Sequence, residues 1–170
     1  MGKKLLFLAF MLTFSEAFSQ TIYKTINSSK LGEERQLKIQ LPRNYESNTE
    51  KTYPLIIALD GDYLFEPMAG NVDYYSYWDE IPEAIVVGVL QDGNREADCL
   101  YDDQRFLPAD TGASFFEFLG MELLPYLDEN YRTARFVVVA GHDLSANFIN
   151  YYLFKPEPLF HAYINLSPDL

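Results

Sequence analysis

Residues 137–148 read VVVAGHDLSANF. Three valines and an alanine make an unbroken apolar run, the signature of a strand covered on both faces. Gly141-His142-Asp143-Leu144-Ser145 follows at once. An amphipathic segment, residues 144–154, begins inside that motif and ends at Lys155-Pro156. A strand that turns sharply into a helix presents its apex residue, here Asp143, beyond the carboxyl end of a sheet. Ligands of open α/β sheets bind at that end. One stretch thus predicts an architecture and the place of a site.

The same strand signature recurs in YPLIIALDGD, where residues 55–59 are wholly apolar, in EAIVVGVL (83–90) and, more weakly, in AYINLS (162–167). Before them, TIYKTINSS and RQLKIQLP alternate polar and apolar residues and predict a hairpin joined near Leu31-Gly32. Residues 114–130 place Phe115, Phe118, Leu119, Leu123, Tyr126 and Leu127 at helical spacing, with Pro125 as a kink or boundary. Residues 64–78 read as a short helix followed by a loop, and residues 91–111 as a polar surface loop. Strands alternating with helices predict an α/β fold: a mostly parallel, helix-covered sheet with an antiparallel N-terminal hairpin. One domain, residues 20–170, is expected.

The chain of 170 residues is long enough for a sizeable core. Its 25 acidic and 13 basic residues give a net charge of -12, which argues against nucleic acid or an anionic membrane surface as partner. Lys3 and Lys4 precede an apolar run, residues 5–14, and Ala17-Phe18-Ser19 offers small residues at a cleavage spacing. Residues 1–19 therefore read as a secretory signal peptide, too short in its apolar part to span a bilayer. A periplasmic or secreted protein is expected. Cys99 is the only cysteine and reads as a partly buried thiol, with neither a bridge nor a metal to serve.

In this order, YPLIIALDGDYLF, IPEAIVVGVL, ELLPYLDENYRT, the GHDLS motif and FHAYINLSP resemble the esterase branch of the α/β-hydrolases. That branch includes enterochelin esterases and the esterase D type of S-formylglutathione hydrolase. The resemblance implies carboxylic-ester hydrolysis without a cofactor. It puts a nucleophile at position 143, with backbone amides of Leu144 and of the Gly61, Asp62 and Tyr63 turn as an oxyanion hole. It also implies a downstream acid and histidine, and a small ester-like ligand lying against His142 and Arg95.

Three departures qualify that expectation. Asp143 stands where the branch has serine. Ser145 stands at the second glycine, where a side chain would crowd the strand-to-helix contact. The implied acid and histidine fall beyond residue 170, so a C-terminally incomplete sheet is expected. Epoxide hydrolases and haloalkane dehalogenases are similar at the apex: their aspartate attacks a saturated carbon, and a histidine-activated water completes turnover. Three readings stay open at this point: an exported esterase homologue, an aspartate-nucleophile hydrolase, and a non-catalytic binding or vestigial protein.

Other residues read more plainly. Ser145 is expected to be structural, and Arg95, in GNREAD, to pair with Asp98. Tyr74, Tyr75, Tyr77 and Trp78 fit an acyl pocket or simple packing equally well. Asp60 with Asp62, and Asp102 with Asp103, fit turn and surface roles better than metal ligation, since no His or Cys stands at ligand spacing.

Overall fold

The computed structural model describes residues 21–168 except 103, 106 and 154. The segment read as a signal peptide and the residue Asp103 lie outside the described residues. Six strands form the main sheet: β1 (Ile22–Ser28), β2 (Glu33–Gln40), β3 (Tyr53–Ala58), β4 (Ile85–Val89), β7 (Thr133–His142) and β8 (Ala162–Leu166). Their spatial order is β1-β2-β4-β3-β7-β8. The hairpin β1–β2 is antiparallel and joins β4 antiparallel, while β4, β3, β7 and β8 run parallel. A short ribbon, β5 (Tyr101–Asp102) with β6 (Leu107–Pro108), stands apart.

Both faces of β3, β4 and the second half of β7 are covered, which is why they read as continuous apolar runs, whereas no residue of β8 is fully buried. All five residues of β4 are buried. On one face Leu55, Ile57, Val87 and Val139 pack with Phe115, Leu123 and Phe148. Those three come from α3 (Asp110–Phe118), the turn Leu119–Leu123 and α5 (Leu144–Leu153). On the other face Val86 meets Phe65, Ala69 and Val72 of α1 (Phe65–Tyr77).

The helix α1 is longer than the short helix expected. Only Phe65, Ala69 and Val72 of its thirteen residues are buried, so its amphipathic signal is thin. Nor is the segment 91–111 merely a surface loop. It holds α2 (Arg95–Asp98) and the ribbon, and Gln91, Asp98 and Cys99 are buried. Asp98 is enclosed because Arg35 of β2 reaches it with two hydrogen bonds, 2.6 and 2.9 Å. Burial pushes the Cys99 thiol up to about 12, so it stays protonated and unreactive.

The helix expected over residues 114–130 is present but interrupted. Between α3 and α4 (Leu124–Asn130) the chain makes a π turn, Leu119–Leu123, and Pro125 falls in the first turn of α4. Pro125 has no N–H to donate to the preceding turn, and it follows directly on the stretch where the regular helical ladder gives way to the π turn. The π turn carries Glu122, whose carboxylate accepts hydrogen bonds from the β1–β2 turn. The donors are the Ser28 hydroxyl, the Ser29 amide (3.0 Å) and hydroxyl (2.6 Å), and the Lys30 amide (3.2 Å).

Burial works against the Glu122 charge, but the bonds from Ser28, Ser29 and Lys30 outweigh it and hold the carboxyl below its usual 4.5. A carboxylate that ionises more readily folded than unfolded stabilises above its unfolded pKa and loses that effect as pH falls through the folded one. Glu122→Gln should therefore cost about 1 kcal/mol at neutral pH. The gap from wild type should close below about pH 4 in urea melts. An equal gap at every pH would show that charge is not what holds the hairpin.

Candidate active site

The parallel register sets Ala58 beside Ala140, so the residues that leave β3 and β7 emerge side by side. Asp60 and Asp143 both adopt positive φ, 56° and 55°. Aspartate tolerates that conformation better than most non-glycine residues. At Asp143 the left-handed residue is what turns the strand into α5 without a loop. Gly141 allows the turn to close, because a Cβ there would lie 2.8 Å from the backbone and hydroxyl of Ser145. The apex therefore has nucleophile-elbow geometry, with an aspartate at its tip.

Ser145 does not crowd this turn; it is built into it. The side chain is fully buried and its hydroxyl donates to Asp60. The His142 amide donates to the Ser145 hydroxyl at 2.9 Å and to Asp60 at 3.3 Å. Arg95 completes the arrangement: its Nε donates to Asp60 at 2.5 Å and its Nη2 to the His142 carbonyl at 2.6 Å. The expected Arg95–Asp98 pair is thus absent, since Asp98 is taken by Arg35 and Arg95 by Asp60. Asp60 in turn is a buried anchor and not a surface turn residue.

Arg95 also faces the apex, with Nη1 3.6 Å from the Asp143 carboxylate, whose side chain is 51% exposed. One guanidinium is therefore shared by two carboxylates, which leaves the elbow with a net negative charge.

The amides divide into spent and unspent. Gly61 donates to Val89 at 2.9 Å and Tyr63 to Asp60 at 3.1 Å, so these two expected oxyanion donors are used by the fold. Gly61 is needed for a close approach: a Cβ would meet the β4 backbone at 2.7 Å. The amides of Asp62 and Leu144 have no acceptor among the described residues. Asp62 holds its loop in place by accepting from the amides of Gln91 (2.9 Å) and Asp92 (3.3 Å).

The two histidines are far apart in role. The His142 ring lies at the apex with Nδ1 3.0 Å from the Tyr63 hydroxyl. His161 sits at the opposite end of the strands, where its Nδ1 accepts from the Val137 amide at 3.2 Å. At about 3.3 Å per residue that is some five residues, or roughly 16 Å, from the elbow. Tyr74, Tyr75, Tyr77 and Trp78 are exposed on the last turns of α1, also away from the apex, so they line no pocket at Asp143. Among the described residues no group of His, Cys, Asp and Glu is arranged to hold a metal ion.

If the Ser145–Asp60 bond fixes the elbow, Ser145→Ala should cost about 1–3 kcal/mol by leaving a buried carboxylate short of a donor. Ser145→Gly should cost at least as much. Equilibrium urea unfolding decides it, and a glycine variant as stable as wild type would show that the hydroxyl contributes nothing.

This site sits in a familiar fold. A family model described as "Putative esterase" matches residues 28–168. An uncharacterised protein from Capnocytophaga ochracea superposes with a TM-score of 0.80 at 32% identity, over 88% of this chain and 41% of that one. An IroE-like serine hydrolase from Shewanella oneidensis gives 0.74 at 27%, over 85% and 49%. The BES protein from Bacillus cereus gives 0.74 at 25%, over 89% and 62%. The chain thus spans about half the length of the solved proteins it matches. No curated protein matches it. With the sheet order, the elbow and a family match over most of its length in agreement, the chain belongs to the esterase family of the α/β-hydrolases.

Proposed function

We propose that this chain is an exported member of the esterase family in which the elbow carries a ligand-binding carboxylate in place of an ester-cleaving nucleophile. The observation that carries this reading is Asp143 itself, held at the tip of an intact elbow with Arg95 3.6 Å away. A carboxylate that attacks an ester carbonyl forms an anhydride, a poor route to hydrolysis. A guanidinium beside it withdraws its electron density further. Among the described residues neither histidine ring bonds the Asp143 side chain.

The charge balance says what the site would accept. Asp60 and Asp143 outnumber Arg95, so an anionic ester is disfavoured. A neutral or cationic small ligand suits the apex, with Tyr63 and His142 as its walls and the amides of Asp62 and Leu144 as donors to a carbonyl. The sequence of residues 1–19 supports the reading of export.

A second reading has its own support. Asp143 is exposed, sits at positive φ and points from the start of α5, the arrangement an aspartate nucleophile needs to attack a saturated carbon. Two assays separate the readings. Purified protein should hydrolyse no short-chain nitrophenyl ester above buffer. Incubation with an epoxide or a primary bromoalkane should leave its intact mass unchanged. Saturable ester turnover would overturn the binding reading, and an alkyl adduct mapped to Asp143 would establish the nucleophile. Asp143→Ser tests latent activity: with the amides of Asp62 and Leu144 alone it should stay on the order of 10³-fold or more below a complete triad.

A further inference from the structure

At the other end of the sheet from the elbow, an open groove of about 1280 Å³ runs between the loop after β2, the end of α1 and the loop before β4. This exceeds the usual size of a small-molecule pocket, about 300–1,000 Å³. Its apolar wall is made by Ile22, Leu41, Pro42, Tyr77, Ile81 and Pro82. Tyr77 is 59% exposed and Trp78 beside it 60%, their rings in edge contact at 5.1 Å. Large aromatic faces left in water at a groove mark interaction surfaces in soluble proteins.

The charges around this wall are one-sided. Both of its cations are already taken: Arg43 by Asp73 at 2.6 Å, and Lys51 by Glu83 at 2.5 Å. Three further carboxylates line the groove, Glu46, Asp79 and Glu80, all exposed. Among the described residues none of them has an ion pair within 4 Å. The carboxyl end of α1 opens here through Ser76 and Tyr77, and the last turn of that helix has no basic residue. The negative pole of a helix therefore adds to the same potential. The aromatic faces fit this sign as well, because a ring face attracts cations; Arg43 already lies 4.9 Å from the Tyr77 centroid.

We propose that this groove docks an extended basic peptide segment, whose lysine or arginine side chains lie along Tyr77 and pair with Glu46, Asp79 and Glu80. An apolar, aromatic wall and net negative charge match such a segment. A neutral glycan would use the rings but leave the carboxylates without counter-charge. The proposal is independent of what the elbow does.

The test is fluorescence anisotropy with a labelled, acetylated peptide of alternating lysine and alanine. Saturable binding that weakens with added salt is expected. The triple variant Glu46→Gln, Asp79→Asn, Glu80→Gln should weaken it by about tenfold, the sum of three modest surface pairs. A charge-matched control, Glu34→Gln, Glu96→Gln, Glu129→Gln, should leave it nearly unchanged. Tyr77→Ala should cost about threefold with no change in charge. Should the triple variant melt early, Glu80→Lys at one exposed position makes the same comparison. Equal losses in both triple variants would reduce the effect to the net charge of the chain and overturn the proposal. So would an absence of saturable binding, or displacement of the peptide by an uncharged xylo-oligosaccharide.

Discussion

The Asp60 carboxylate is enclosed at the end of β3, and three donors from three other elements converge on it: the Ser145 hydroxyl, the His142 amide and the Arg95 guanidinium. Removing a carboxylate from water costs several kcal/mol, and a single partner rarely offsets it. Here each donor belongs to a different part of the site, so satisfying Asp60 fixes the elbow, α2 and the β3 turn together. Arg95 ties the same unit to the His142 carbonyl, one residue before the apex. The arrangement contributes more to a single geometry than to net stability. Asp143 can hold a left-handed conformation because its neighbours on both sides are pinned.

Behind this layer lies a second buried polar unit, Arg35 with Asp98 and Gln91. Gln91 links the two: its carbonyl oxygen accepts from the Asp60 amide and its side-chain amide donates to Asp98 at 3.1 Å. A polar path therefore runs from β2 beneath the strand ends to the elbow. Burial pushes the Asp98 carboxyl up while Arg35 draws it down, and the two close hydrogen bonds from Arg35 make the ionised pair the sensible state. Loss of either partner would strand the other in the interior.

Much of this was legible in the sequence. The unbroken runs of β3, β4 and β7 identified doubly covered strands, and the alternation in β1 and β2 identified a hairpin. The turn from β7 into α5 was visible in VVVAGHDLS. What was not legible depends on neighbours distant in the chain. Strand order places β3 beside β7 across some eighty residues, and only that adjacency makes Asp60 and Ser145 partners. Read locally, an aspartate after a strand is a turn residue and a serine at a glycine position is an obstruction. A usable signal existed: two small polar residues at the carboxyl ends of neighbouring parallel strands. From the sequence, Asp98 is the natural partner for Arg95 because it lies three residues away, whereas Asp60 lies thirty-five away.

The π turn Leu119–Leu123 changes how this region can vary. It carries one residue more than the α-helical turn it replaces, so everything after it is rotated by about 100° relative to an unbroken helix. That rotation lets Phe115, Phe118, Leu123 and Leu127 share one core while Glu122 faces the hairpin. Deleting any residue of the turn would restore a regular helix and turn either the core face or Glu122 the wrong way. A descendant could shed the extra residue only by rebuilding the β1–β2 turn in the same step, so the irregularity resists drift although it touches nothing at the elbow.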